Sequence, residues 1–169
     1  TKGSLEVDHF VPQNEAPEKK FEWENLFPAS KNANSRRKRK TPEGGFLNPC
    51  CDNIDSRLRQ ELGNDDAPIF VAVDPGDQAA VNTAVDLDQL HNDSKENPKA
   101  ADLREAVSVH FRTVLELIAE HHQALGNEDS SEIALTREKL RKAVSRKAPF
   151  TALIRSRVKK FDVASELFD

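Results

Sequence analysis

Between Glu6 and Lys40 the pattern of apolar residues changes period in an order that few small folds accommodate. Leu5, Val7, His9 and Val11 alternate with Glu6, Asp8 and Phe10, the period of a short strand running into a turn at Pro12. Residues 12–20 form a polar loop containing two prolines. Phe21, Trp23 and Leu26-Phe27 follow as a second short extended piece, which Pro28 closes. Ser30 is a good helix cap, and no β-branched residue occurs from there to Lys40, so a short helix is expected over 30–40. Thr41-Pro42 and Gly44-Gly45 break it. The expected order is strand, loop, strand, helix.

The rest of the chain reads as mainly helical. Ile54, Leu58 and Leu62 predict a short helix from about Asp52, stopped by Gly63. Residues 69–73 read as a strand ended by the Asp74-Pro75-Gly76-Asp77 turn, and a helix is expected from Asp77 to Leu90. Leu103, Val107, His110, Val114, Leu117, Ile118 and His121 make one helical stripe, closed by Gly126. Asp129 and Glu132 fit a capping box for a helix with the stripe Ile133, Arg137, Leu140 and Val144. Pro149 opens a last helix presenting Phe150, Ile154, Val158 and Phe161. The expected class is α+β.

Charge is distributed unevenly behind a net value of −4. Residues 19–40 carry a balance of +6, residues 137–160 a balance of +9, and the span 41–136 a balance of −13. The overall value argues against indiscriminate binding of polyanions, while the two basic regions can grip phosphates locally. With no long apolar run and no signal-peptide pattern, a soluble cytoplasmic protein with no membrane partner is expected. The chain lacks Met and opens seven residues ahead of Asp8, which predicts a trimmed N-terminus. Cys50 and Cys51 are adjacent, pair poorly and supply no zinc-site spacing, so they are read as small apolar fillers beside a loop.

The chemistry-bearing residues gather in the first segment. Hydrolysis of a phosphodiester needs a base for water and a cation to offset charge at phosphorus and the leaving oxygen. His9 has the side chain suited to the base, since imidazole ordinarily titrates near neutrality. Asp8 and Asn34 offer hard oxygen donors of the kind Mg²⁺ (or Mn²⁺) prefers, with water and phosphate completing an octahedron. Neighbouring strand residues face opposite ways, so a bend or bulge is expected between Asp8 and His9. Arg36, Arg37, Lys38, Arg39 and Lys40 would contact nucleic-acid phosphates, setting position without reading sequence.

This constellation resembles the HNH, or ββα-metal (His-Me finger), nuclease family. The resemblance implies that Asp8 is the metal-binding acid and His9 the general base. It makes Asn25, in WENL, a loop brace counted in the catalytic set, and Asn34 the last metal ligand. Ser30 and Ala33 stand where many members carry cysteines, which implies that no structural zinc is present. Beyond the core, FLNPCCDNIDSRL, Asn82-Thr83 with Leu87, Leu103-Arg104 and APFTALIRSRV look like the PtuB-like subunits of Septu-type and retron-associated anti-phage systems. That likeness implies a nuclease core over 1–48 and a mainly helical accessory, partner-binding region over 49–169. It further implies a prokaryotic setting and a PtuA-like ATPase partner, with no phosphate-binding loop here to supply that activity in cis. A retron reverse transcriptase with its RNA/DNA is a further implied partner, and DNA or tRNA the implied substrate. The rival expectation is a nucleic-acid-binding or assembly subunit whose nuclease site has decayed.

Other residues carry duller readings. Trp23, beside Leu26 and Phe27, is expected in the motif's small core rather than stacked on a base. His110 is expected part-buried and hydrogen-bonded, the His121-His122 pair to cap a helix end, and His91 to lie in a loop without a role.

Overall fold

In the computed structural model, which describes residues 5–36, 40–63, 65–95 and 97–161, the first alternating run becomes strand β1 (Leu5–His9). It pairs antiparallel with β2 (Leu26–Ser30), with Glu6 opposite Ala29, Val7 opposite Pro28, Asp8 opposite Phe27 and His9 opposite Leu26. Helix α1 (Lys31–Arg36) follows directly and lies against both strands. Pro28 therefore sits inside β2 rather than ending it. A two-stranded sheet leaves each strand an open edge, where a missing N–H costs no ladder bond. Phe21 and Trp23 belong not to an extended piece but to two 3₁₀ turns, Pro17–Phe21 and Trp23–Asn25.

The chain divides into two compact units, one of Thr1–Arg59 with Val71–Leu87, the other of Gln60–Phe70 with Asp88–Asp169. The fold class is α+β. In the first unit, the β1–β2–α1 segment leads through a loop to a single helical turn, α2 (Ile54–Arg57). Arg57 joins that turn to its surroundings by pairing with Asp52 and, through Nε and Nη2, with Asp77 at 2.7 and 2.8 Å. Asn82 donates to the carbonyls of Glu43 and Gly45, both at 2.8 Å, which fixes the Gly44-Gly45 turn. Gly44 has φ +82°, and a Cβ there would lie 2.5 Å from Gln78 Cγ, so only glycine suits the position.

Where a helix was expected to run from Asp52 to Leu62, the chain instead forms β3 (Leu58–Leu62), paired with β4 (Pro68–Ala72). Leu58 and Leu62 are buried in either case, because a spacing of four puts residues on one face of a helix and also of a strand. Gly63 donates to the Ala67 carbonyl at 2.8 Å and opens the hairpin instead of stopping a helix. Helix α3 (Gln78–Asn92) begins beyond the Asp74–Asp77 turn, with the Ala80 amide donating to Asp77 at 3.2 Å.

The second unit holds most of the core. Helix α4 (Ala100–Gly126) buries Val107, Phe111, Val114 and Ile118, and a short turn folds α5 (Ser130–Ala143) back on it. Asp129 caps α5 by accepting from the amides of Ser131 and Glu132. Helix α6 (Thr151–Val158) buries Leu153, Ile154 and Val158, and Ser156 accepts from the Leu62 amide at 3.2 Å. His121 is buried within α4 and not at its end, with Nδ1 2.8 Å from the Thr136 hydroxyl. That hydroxyl also reaches the Glu132 and Ile133 carbonyls, at 2.8 and 3.2 Å. His91 is likewise buried, in the last turn of α3, with its ring 5.0 Å from that of Phe70. No helix among the described residues is long and apolar enough to cross a membrane.

Candidate metal and base site on the first strand pair

The β1–β2 register sorts the proposed site residues by face. Directly opposed residues share a face, so Glu6, Asp8, Phe27 and Ala29 point one way, and Val7, His9, Leu26 and Pro28 the other. Helix α1 covers the first face. Asn34 Nδ2 donates to Glu6 Oε2 at 2.9 Å, and Phe10 and Phe27 pack with ring centroids 5.9 Å apart. Asp8 and Asn34 thus occupy the same side of the strand pair, although 26 residues separate them in the chain.

Glu6 is a site residue that reading for a DH pair misses. Its carboxylate fixes the nitrogen end of the Asn34 amide, which leaves the oxygen end to act as a ligand. The signal lay in Glu-Val-Asp, two acids at the i, i+2 spacing that places them about 7 Å apart on one face. The donor set on this face, two carboxylates and an amide, consists of hard oxygens and fits a small divalent cation chemically. Among the described residues, no group of three or more His, Cys, Asp and Glu side chains comes together. An ion here would rely on the amide, water and substrate oxygens for its remaining positions.

His9 lies on the other face. The ladder runs without a bulge through Asp8 and His9, and the expected bend comes afterwards, at Phe10-Val11. The imidazole is held by the loop: Nε2 lies 3.0 Å from the Lys20 carbonyl, and the Gln13 amide nitrogen lies 3.2 Å from both Nδ1 and Nε2. A carbonyl only accepts, so the contact with Lys20 needs a proton on Nε2. Gln13 is the second residue that sequence reasoning missed, since nothing in its spacing marks it.

Asn25 is buried, at 4% exposure, and ties the loop together. Its Oδ1 accepts from the Val11 amide at 2.6 Å, while Nδ2 donates to the carbonyls of Val11 at 3.2 Å and Lys19 at 3.0 Å. Lys19 and Lys20 are neighbours, so Asn25 and His9 hold two successive carbonyls of the first 3₁₀ turn.

The basic run falls largely beyond the described residues: Arg37, Lys38 and Arg39 lie outside them, as does the Arg36 side chain, and Lys40 is exposed. Trp23 is not in a core; it is 83% exposed and Phe21 84%. Leu26 and Phe27 carry the packing instead, because the 3₁₀ turn ahead of β2 faces Trp23 outward. Cys50 and Cys51 are free and exposed in a turn rather than filling apolar space. His110 is half-buried, 3.3 Å from the Ala143 carbonyl.

No protein-family model, curated protein or solved structure matches this chain.

Proposed function

We propose that the chain is a metal-dependent endonuclease of the HNH type, working as the effector subunit of an anti-phage complex with an ATPase partner. The single observation that carries the nuclease reading is the placement of Asp8 and Asn34 on one face of a β–β–α segment. At the end of the same strand stands a histidine whose Nε2 lies 3.0 Å from the Lys20 carbonyl. The residue pattern of DH, WENL and Asn34 supports the family, and the PtuB-like segments support the partner.

In this mechanism Asp8 and Asn34 would hold Mg²⁺, with Glu6 setting the amide of Asn34. The ion's chemistry is to neutralise charge on the phosphate and the departing oxygen. For His9 to act as the base, β1 must turn at Asp8-His9 so that the imidazole comes round to the ion's face, where it would take the proton of the attacking water. The Lys20 carbonyl, 3.0 Å from Nε2, and the Gln13 amide, 3.2 Å from both ring nitrogens, hold the ring in place. Asn25 keeps the loop, and so the imidazole, in place. The products would carry 5′-phosphate and 3′-hydroxyl ends.

One observation favours a second reading, a nucleic-acid-binding or assembly subunit with a decayed site: Asp8 and His9 alternate across the strand. Labelled DNA and RNA offered to the purified protein, alone and with whatever co-elutes, separate the two. The nuclease reading expects Mg²⁺-dependent cutting that EDTA stops. Binding without cutting under every metal condition supports the decayed subunit.

A further inference from the structure

We propose that Phe21 and Trp23 form a stacking platform for unpaired nucleobases, so that the strand taken at this site is single-stranded or looped rather than fully duplex. The inference rests on the nuclease reading for the identity of its ligand, and on independent observations for its place. Both rings are more than four-fifths exposed, and Leu5 and Val7 on the outer face of β1 are exposed as well. The rings are one residue apart across Glu22, whose backbone is extended at φ −72°, ψ 127°. Their Cα atoms are therefore about 7 Å apart, close to the spacing needed to take one base between two aromatic faces.

The platform is anchored to the candidate site. The carbonyl just before Phe21, that of Lys20, lies against His9, and the carbonyl before that accepts from buried Asn25. Bases stacked here would place the adjoining backbone near the imidazole. Lys20 Nζ lies over one face of the Phe21 ring, 5.2 Å from its centroid, so a base would use the opposite face or displace the ammonium towards a phosphate.

The charge pattern favours a strand over a protein as the occupant. Charged residues are depleted at the centre of protein-docking patches. Here Lys19, Lys20, Glu22 and Glu24 alternate with the rings. The two glutamates flank Trp23 and repel phosphate, which confines the backbone to the lysine side and leaves Trp23 to the bases. In a duplex the faces of the bases are covered by their neighbours, so only an unpaired strand can use such a platform.

Trp23 is the one tryptophan of the chain, so its fluorescence reports the site directly. The full-length protein is titrated, without divalent metal so that nothing is cut, with a single-stranded oligonucleotide, the same strand made abasic, and a duplex. The expected result is quenching of Trp23 by the base-bearing single strand and little by the other two. Trp23→Leu should weaken binding of that strand by about tenfold or more, and Trp23→Phe should recover most of it. Equal affinity for abasic and base-bearing strands, or wild-type affinity in Trp23→Leu, overturns the platform. So does a protein that co-purifies with the wild type and is shed by Trp23→Leu while strand binding stays unchanged. A failed platform with His9-dependent cutting intact leaves the nuclease reading standing, and stacking without cutting leaves the platform standing.

Discussion

Asn25 is buried and uses both ends of its amide on main-chain atoms of Val11 and Lys19. Asn25→Ala should therefore cost about 2–4 kcal/mol in a urea unfolding experiment, from one amide and two carbonyls left unpaired. A loss below about 0.5 kcal/mol, as for an ordinary surface change, would contradict the bracing geometry. A second residue-scale prediction concerns Asp77. Hydrogen bonds from Arg57, then the Ala80 amide, hold its carboxyl at a pKa of about 2. A folded-state value below the unfolded one gives stability that is present above about pH 4 and lost as the pH falls towards 2. The urea midpoint of Asp77→Asn should accordingly change less between about pH 4 and about pH 2 than that of the wild type; parallel acid limbs would contradict the pairing. At this scale the sequence marked Asp8, His9, Asn25 and Asn34 through their spacing. It could not mark Gln13, whose contact with His9 depends on how the loop closes, nor the exposure of Trp23, which depends on a 3₁₀ turn that apolar content does not announce.

At the scale of elements, α5 tests whether a stripe read from sequence is the stripe that packs. Leu140 and Val144 are buried as their spacing implies, but the position between Ile133 and Leu140 on the buried face belongs to Thr136 rather than Arg137. A threonine can be buried there because its hydroxyl donates to the Glu132 carbonyl and meets His121 from α4. Leu140→Ala should cost about 2–5 kcal/mol, whereas Leu135→Ala, at a position 53% exposed, should stay within about 0.5 kcal/mol. Thermal melts of the two variants check the contrast, and equal losses would contradict the packing. Asp129→Ala, which removes the cap from two amides, should cost about 1 kcal/mol in the same assay. Helices with caps and long stripes were legible in sequence: α3 to α5 fall close to their expected spans, whereas α6 begins at Thr151 rather than Pro149, with Phe150 as its left-handed N-cap. The hairpin β3–β4 was not, because Ile54, Leu58 and Leu62 satisfy the helical period and the strand period alike. Only pairing with β4 decides between them.

For the whole molecule, the strand–loop–strand–helix order of the first segment is as local pattern implies, although the second strand starts at Leu26 rather than Phe21 and runs through Pro28. The two compact units are not so implied, since one inserts Val71–Leu87 and the other Gln60–Phe70 from beyond their contiguous stretches. Of the candidate site, the sequence supplied residue types, and only the β1–β2 register sorted Asp8 from His9 across the strand. The central proposal is that Asp8 and Asn34 would hold Mg²⁺ on one face of β1 and that the strand end turns to bring the His9 imidazole round from the other face to act as base. Its most direct measurement is single-turnover cutting of a labelled strand, with Mg²⁺, by the wild type and by His9→Ala, each purified with whatever co-elutes and matched for folding by circular dichroism. The account predicts cutting by the wild type and a loss of at least about 100-fold in His9→Ala; cutting at the wild-type rate by His9→Ala would contradict it.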